Sequence, residues 1–175
     1  MNLDQIKSVY CLGLGGIGVS SLARLFLAMG KEVSGADLKQ SEITDGLEKL
    51  GVKVKIGANK VEGNPDLVIY SPAVPATEIE QIKGMKLSQG QAVGELMKGH
   101  FGIGVTGTNG KSTTTAILGL ILEAAKMDPT VILGSMLSVK NESDKFQSNA
   151  RLGAGKYFVA ESDEYHRKML ENSPQ

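Results

Sequence analysis

The chain has 175 residues, of which 41% are hydrophobic, and its 19 basic and 19 acidic side chains give a formal net charge of +0. This balance excludes a broad basic surface for nucleic acid or for an anionic membrane, and no apolar run approaches the ~20 residues that cross a bilayer. The single cysteine, Cys11, cannot form an internal disulfide, so we expect a reducing, cytoplasmic setting. Cys11 lies in an apolar run, which indicates a buried core residue without a catalytic role.

Short apolar runs alternate with helical patterns along the first half of the chain, which is typical of βαβ units and a parallel sheet. Ser41 can cap one helix, and Thr44 occupies the position of a capping-box residue. The predicted strands are 8–13, 32–37, 53–56, 66–71 and 85–88, and the predicted helices are 17–29, 41–50, 75–84 and 91–99.

A second cycle of the same kind follows the stretch KGHFG, which resembles a domain boundary. The sequence therefore predicts two domains, 1–98 and 99–175, and His100 is expected to be a solvated linker residue. In the second domain we predict strands at 101–107, 128–134 and 156–161, helices at 113–126 and after 161, and a long loop over 135–155.

The stretch CLGLGGIGVS, residues 11–20, contains the pattern G-x-G-x-x-G between a predicted strand and helix. Gly13 and Gly15 permit a tight turn and a close approach to a diphosphate, while Gly18 is expected to let the helix pack near the strand. Asp37 ends the next strand, 19 residues after Gly18. This context predicts a diphosphate site, but it leaves open which diphosphate binds, NAD included, and a glycine turn without a ligand is the alternative.

A second glycine loop lies in VTGTNGKSTTT, residues 105–115. A strict Walker A motif needs glycine where Val105 stands, but the shorter Gly107–Ser112 keeps the essential parts. Its N–H groups form an anion nest, Lys111 places a charge on the terminal phosphates, and the Ser112 hydroxyl can bind Mg²⁺. Two anion-binding loops indicate two phosphorylated ligands, one of them ATP.

Three acids follow the last predicted strand in VAESDEY, residues 159–165. Carboxylates at the end of a strand beside a phosphate loop suit a Mg²⁺ ligand. Glu161 is the main candidate because it directly ends the apolar strand, and Asp163 and Glu164 are secondary candidates. A solvated helix N-terminus, where acids are also favoured, is the alternative.

Together these segments resemble the Mur ligase family, the ATP-dependent enzymes that build the peptide of bacterial cell-wall precursors. The resemblance covers nearly the whole chain and rests on GLGGIGVSSLARLF, VSGADL, VIYSPAVP, GTNGKSTTT and ARLGAGKYFVAESDEY. It implies an α/β fold, with a Rossmann-like parallel-sheet domain that binds a UDP-sugar, followed by the start of a P-loop α/β domain that binds ATP.

The resemblance also implies roles for individual residues. Lys111 and Glu161 are the implied catalytic residues, and Ser112 and Glu161 the implied Mg²⁺ ligands. The implied UDP-sugar residues are Gly13, Gly15, Gly16, Ile17, Gly18, Asp37, Ser71, Pro72 and Ala73, and the implied ATP residues are Gly107, Thr108, Asn109, Gly110, Lys111, Ser112 and Thr113.

The implied reaction joins L-alanine to the carboxylate of UDP-N-acetylmuramate through an acyl phosphate. Three departures from the alanine-adding members leave another amino acid or a peptide open as the substrate. Asn109 replaces the family's histidine in the ATP loop, QGQAVGEL replaces an RAxML-like segment, and His166 replaces an acid.

The chain is short for this family, whose central domain continues well past the AESDE segment and whose third domain binds the amino acid. We therefore expect a fragment that binds the UDP-sugar, binds ATP weakly and does not ligate. A non-catalytic UDP-sugar-binding module is one alternative. An NAD-dependent oxidoreductase would leave the second loop unused, and a folylpolyglutamate-type ligase lacks the first domain. The sequence leaves the oligomeric state open.

Overall fold

The computed structural model describes residues 3–136 and 149–161. The chain divides between Ala92 and Val93 into two compact units, whereas the sequence predicts a boundary after residue 98. Each unit is a sheet with helices. The strands are β1 Ser8–Leu12, β2 Glu32–Asp37, β3 Lys53–Ile56, β4 Leu67–Tyr70, β5 Lys86–Ser88, β6 Phe101–Val105, β7 Thr130–Ile132, β8 Ala150–Arg151 and β9 Tyr157–Glu161. The helices are α1 Ile17–Ala28, α2 Glu42–Lys49, α3 Ala76–Glu80, α4 Gln89–Met97 and α5 Lys111–Ala124, preceded by a 3₁₀ turn at Leu3–Gln5.

The first unit contains a five-stranded sheet in the order β3-β2-β1-β4-β5, and all four strand pairs are parallel. The central strands β1 and β4 are buried over most of their length, as expected for a parallel sheet covered on both faces. Gly35 on β2 lies opposite Cys11 on β1, and a Cβ atom at Gly35 would overlap the Cys11 carbonyl oxygen. The two strands are thus packed together with no room for a side chain at this position.

Local signals in the sequence set several helix ends. Ser41 caps α2, and Ser41 and Thr44 form the reciprocal hydrogen bonds of a capping box, as the sequence predicts. α1 ends at Ala28, and Gly30 then adopts a φ of 77°, a conformation that glycine adopts without strain. α3 ends at Glu80 and is therefore shorter than the predicted helix 75–84.

The second unit contains a four-stranded sheet in the order β6-β9-β7-β8. β6, β9 and β7 are parallel, but β8 pairs antiparallel to β7. The prediction of an uninterrupted loop over 135–155 is therefore wrong at Ala150–Arg151, and β8 covers the edge of β7. α5 packs on the sheet through a core of Ala116, Val131, Leu133 and Val159.

Arg151 explains why so short a strand is held in place. Its side chain is 1% exposed and pairs with Asp128 at 2.7 Å and Glu123 at 3.3 Å, and it also donates to the Pro129 carbonyl. Asp128 adopts a φ of 42° and accepts a second hydrogen bond from Ala154 N at 2.8 Å. The buried guanidinium therefore ties β8 to the turn before β7, a link that no local pattern in the sequence signals.

The sequence suggested that His100 is a solvated linker residue, and this prediction is wrong. The His100 ring lies edge-on to Phe158 with 5.7 Å between centroids, and its Nδ1 atom is buried. Within residues 3–136 and 149–161, no helix is long and apolar enough to cross a membrane. The predicted helix after residue 161, with Asp163, Glu164 and His166, lies outside the described residues.

Candidate functional site

The first candidate site lies at the carboxyl edge of the first sheet, where β1 and β4 are neighbours although they are not consecutive in the chain. Open parallel sheets bind ligands in the crevice at such a reversal of strand order. Gly13 follows β1 and Ser71 follows β4, and a Cβ atom at Gly13 would lie 2.7 Å from the Ser71 Cβ. Gly13 also has a φ of 74°. The structure therefore brings the predicted diphosphate loop against Ser71, the first residue of the segment Ser71–Ala73 that the resemblance assigns to the UDP-sugar.

The backbone of the first loop is fixed by its own hydrogen bonds. The N–H groups of Gly13 and Leu14 both donate to the Ala36 carbonyl, at 3.0 and 3.1 Å, and Gly16 N donates to the Gly13 carbonyl at 3.0 Å. Gly16 is the N-cap of α1 and has no side chain to cover the first turn, which starts with Ile17 and Gly18. The positive end of the α1 dipole is consequently open to an anion.

Asp37 closes this site on the side of β2. Its Oδ2 atom accepts a hydrogen bond from Gly15 N at 2.8 Å, and its Oδ1 atom accepts one from Lys39 N at 3.1 Å. A Cβ atom at Gly15 would lie 3.0 Å from the Asp37 Oδ2 and 3.4 Å from the Ser41 Oγ. The glycine at position 15 therefore leaves room for the carboxylate and for the cap of α2.

Gly18 lies against the first residue of α4. A Cβ atom there would overlap the carboxamide of Gln89, so Gly18 makes room for this side chain. The contact places Gln89 beside the first turn of α1, and the sequence analysis did not anticipate it. The only available signal was the departure QGQAVGEL from the expected segment.

The second candidate site is the loop between β6 and α5. Gly107 has a φ of 146° and Gly110, the N-cap of α5, a φ of 77°, so the chain turns through conformations that favour glycine. Lys111 is the first residue of α5, and its Nζ donates to the Gly107 carbonyl at 2.6 Å. The lysine thus lies across its own loop. The remaining predicted ATP residues lie beside it on the loop and in the first turn of α5: Thr108, Asn109, Ser112 and Thr113.

Glu161 lies at the end of β9, directly opposite Val105 in the sheet. Val105 is the last residue of β6 and precedes Gly107 by two residues. Glu161 is half-buried, and its Oε1 accepts a hydrogen bond from Gly134 N at 2.6 Å. A carboxylate and a serine hydroxyl are oxygen donors of the kind that Mg²⁺ prefers together with phosphate and water. Among the described residues, no group of three or more metal-binding side chains is assembled. The residues present therefore fit a magnesium ion that a nucleotide phosphate helps to hold.

A cavity of about 500 Å³ lies elsewhere in the first unit, between α3 and the segment that joins β3 to β4. It contains none of the predicted site residues, and its walls include Asn59, Lys60, Glu78 and Lys83. Its position does not alter the two sites described above.

Comparisons of the sequence with a family model and with curated proteins point to the same family. Residues 8–100 match the model described as Mur ligase family, catalytic domain. A UDP-N-acetylmuramate--L-alanine ligase of Salinibacter ruber is 40% identical over 179 residues, covering 98% of this chain and 36% of that protein. A ligase of the same name from Geotalea uraniireducens is 38% identical, covering 97% of this chain and 37% of that protein.

Solved structures agree with these sequence relatives. A murein peptide ligase of Psychrobacter arcticus superposes with a TM-score of 0.81 at 27% identity, over 96% of this chain and 41% of that one. UDP-N-acetylmuramate-alanine ligase MurC of Thermotoga maritima gives a TM-score of 0.79 at 29% identity, over 97% of this chain and 40% of that one. These likenesses confirm the predicted α/β fold with its Rossmann-like first sheet.

The chain spans a little more than a third of the length of these curated relatives, between 36% and 39%. Within that span the matched family model covers the first glycine loop and the whole first sheet, and the curated relatives extend the match over the second loop and Glu161. The resemblance read from the sequence is confirmed, and the chain belongs to the Mur ligase family.

Proposed function

We propose that this chain carries the UDP-sugar-binding and ATP-binding parts of a ligase that joins L-alanine to UDP-N-acetylmuramate. The observation that carries the proposal is the second site: a glycine loop with Lys111 at the start of α5, and Glu161 opposite Val105 in the sheet. A loop of this kind binds nucleotide phosphates. The names of the relatives at 38–40% identity supply the two substrates.

In the proposed reaction a carboxylate oxygen of the muramyl group attacks the γ-phosphorus of ATP. The bond from phosphorus to the bridging oxygen breaks and ADP leaves, which gives an acyl phosphate. The amine of alanine then attacks the acyl carbon, phosphate leaves, and the nitrogen loses a proton to form the amide. Catalysis of this kind consists mainly of positioning and charge neutralisation.

The chain's own residues would contribute as follows. Lys111 moves from the Gly107 carbonyl to a phosphate oxygen, where its charge opposes the charge that develops during transfer. Ser112 and Glu161 would hold Mg²⁺, which supplies further neutralisation of the phosphates. In the first unit the start of α1 would receive the diphosphate of the UDP-sugar, with Asp37 and Ser71–Ala73 near the nucleoside.

Calorimetric titration of the 175-residue chain with UDP-N-acetylmuramate tests the first site, with NADH as the competing ligand class. We expect saturable binding of the UDP-sugar alone. Gly16→Val should abolish it, because the valine side chain would cover the first turn of α1. The φ of −72° and ψ of 141° at Gly16 suit valine, and its Cβ would lie 3.2 Å from the Gly13 carbonyl oxygen, a tight contact. Gly46→Ala, in α2, is the matched control. Binding of NADH alone would overturn the proposal.

Titration with ATP and Mg²⁺ tests the second site. Lys111→Met should weaken binding at least tenfold, whereas Lys126→Gln, beyond the far end of α5, should not. The far end of α5 lies about 20 Å from Lys111, given the 1.5 Å rise per residue of a helix. Unchanged ATP affinity in Lys111→Met would remove the second site from the proposal.

A peptide is the second candidate for the amine substrate, and the superposition on a murein peptide ligase favours it. Phosphate release in the presence of UDP-N-acetylmuramate, measured on a form of the ligase as long as its curated relatives, distinguishes the two candidates. Release that depends on L-alanine supports the first, and release that depends only on an alanyl-glutamyl peptide supports the second.

A further inference from the structure

Gly134 lies beside the proposed magnesium ligand. It follows β7 by two residues, and β7 is the neighbour of β9 in the sheet, with Ile132 opposite Ala160. The next residue of β9 is Glu161, so Gly134 stands at the same carboxyl edge as the Glu161 side chain. The phosphate loop reaches this edge from the other neighbour of β9, which is β6.

The Gly134 backbone holds the carboxylate directly. Its N–H donates to the Glu161 Oε1 at 2.6 Å, a short distance typical of hydrogen bonds to charged acceptors. Among the described residues, only Gly134 donates a hydrogen bond to the Glu161 carboxylate. The Gly134 N–H therefore fixes the Oε1 atom of Glu161, and the Oε2 atom remains for a ligand.

Glycine is needed at position 134 for space and not for backbone conformation. Its φ lies outside the left-handed range, and the residue is exposed, so alanine would be acceptable on backbone grounds alone. A Cβ atom would, however, lie 2.6 Å from the Glu161 Oε2, 3.0 Å from its Cδ and 3.3 Å from its Oε1. Any side chain at this position would displace the carboxylate.

We propose that Gly134 is a positioning residue for the metal site: its N–H orients the Glu161 carboxylate, and its missing side chain leaves the space the carboxylate occupies. This inference rests on the proposed function, in which Glu161 binds Mg²⁺. Groups that orient metal ligands affect metal affinity by roughly 10–100-fold when they are changed. Gly134→Ala is a sharp test because it moves the carboxylate without removing its charge.

The experiment measures how much Mg²⁺ strengthens ATP binding to the 175-residue chain, as the ratio of ATP affinity in Mg²⁺ to that in excess EDTA. We expect a large ratio for the unmodified chain and a ratio near one for Glu161→Gln. Gly134→Ala should lower the ratio about tenfold while its ATP affinity in EDTA and its circular dichroism spectrum stay unchanged. Gly46→Ala, a glycine replaced in α2, should behave as the unmodified chain.

A double variant separates positioning from general damage to the fold. If Gly134 acts only through Glu161, Gly134→Ala leaves the ATP affinity in EDTA unchanged in the Glu161→Gln background as well. A loss of ATP affinity in EDTA caused by Gly134→Ala in either background would overturn the inference, as would an unchanged Mg²⁺ ratio in Gly134→Ala. A ratio near one in the unmodified chain would instead overturn the proposed metal site, and the inference with it.

Discussion

The carboxylate of Asp37 accepts a hydrogen bond from the backbone N–H of Gly15 at 2.8 Å, across the gap between the ends of β2 and β1. The same carboxylate accepts a second bond from Lys39 N. The acid that would face a bound nucleoside is thus also a support for the glycine loop. Its side chain and the loop backbone form one hydrogen-bonded unit.

Asp37→Asn should therefore lower the free energy of unfolding by about 1–2 kcal/mol, because an amide offers one oxygen to two backbone donors. Urea unfolding followed by circular dichroism measures this change. Glu48→Gln, an exposed acid of α2, is the matched control and should unfold as the unmodified chain. Equal unfolding of Asp37→Asn and the control would show that the carboxylate does not support the loop.

Gly18→Ala and Gly46→Ala should change stability in opposite directions, although both replace a glycine inside a helix. Alanine normally stabilises a helix by up to ~1 kcal/mol over glycine, and at Gly46 the new Cβ would lie 3.5 Å from the Arg24 Nη2, an ordinary contact. At Gly18 it would overlap the end of the flexible Gln89 side chain, which has to shift, and we expect a net loss of about 1 kcal/mol.

The double variant Gly18→Ala/Gln89→Ala should recover most of the stability lost in Gly18→Ala, because the overlapping carboxamide is gone. Thermal unfolding of the unmodified chain, Gly18→Ala, Gln89→Ala and the double variant provides the comparison. No recovery in the double variant would mean that something other than Gln89 makes position 18 intolerant of a side chain.

Some elements of this fold could be predicted from the sequence, and others could not. β2, β3 and the Ser41–Thr44 cap were predicted correctly because their signals are local: short runs with apolar residues between helical patterns, and a hydroxyl residue three positions from its partner. β8 was missed because its cause is the buried Arg151, which reaches a turn 23 residues earlier. The position of the first glycine loop between β1 and α1 was predicted correctly, and the binding role of its residues stays a prediction. The contact between Gly18 and Gln89 depends on packing that no period in the sequence encodes.

The ion pair of Arg151 with Asp128 should contribute more to stability than an exposed pair of similar length. Asp128→Asn leaves the guanidinium, which is 1% exposed, with the longer ion pair to Glu123 and the hydrogen bond to the Pro129 carbonyl. Loss of a partner from a buried charge costs about 3–5 kcal/mol, and less where the partner is half-exposed, so we expect about 2 kcal/mol. Urea unfolding measures it.

Glu32→Gln is the matched control for this prediction. It breaks the pair with Lys53, which has a 2.8 Å distance but 78% and 66% exposed side chains, and exposed pairs contribute little. We expect no resolvable change in the unfolding curve of Glu32→Gln. A change as large as that of Asp128→Asn would contradict the importance assigned to burial.

Stability should fall at alkaline pH through Cys11. Burial raises the pKa of the Cys11 thiol from 9.0 to about 12. The unfolded thiol therefore ionises above about pH 9 while the folded thiol stays neutral until about pH 12. Unfolding releases a proton in this window, so the free energy of unfolding decreases there by up to ~1.4 kcal/mol per pH unit. Below pH 8 the thiol contributes no pH dependence.

Urea unfolding between pH 8 and pH 10.5 checks this expectation. Cys11→Ala should show a shallower decrease than the unmodified chain. The pKa of Tyr10 is also raised, by burial, by Glu62 and to the smallest extent by Cys11, so the difference between the two curves reports the Cys11 thiol together with its small effect on Tyr10. Parallel curves would show that the thiol is not shielded as the structure indicates.

The contact between Gly13 and Ser71 has a consequence for ligand entropy. Because the two loops already touch, and because Ser71 N donates to the Leu12 carbonyl at 3.0 Å, neither can move far without the other. A nucleotide that spanned both would meet walls whose freedom was lost when the protein folded. Little further conformational entropy would be lost on binding, so its affinity would reflect contacts with the ligand more than the ordering of the protein.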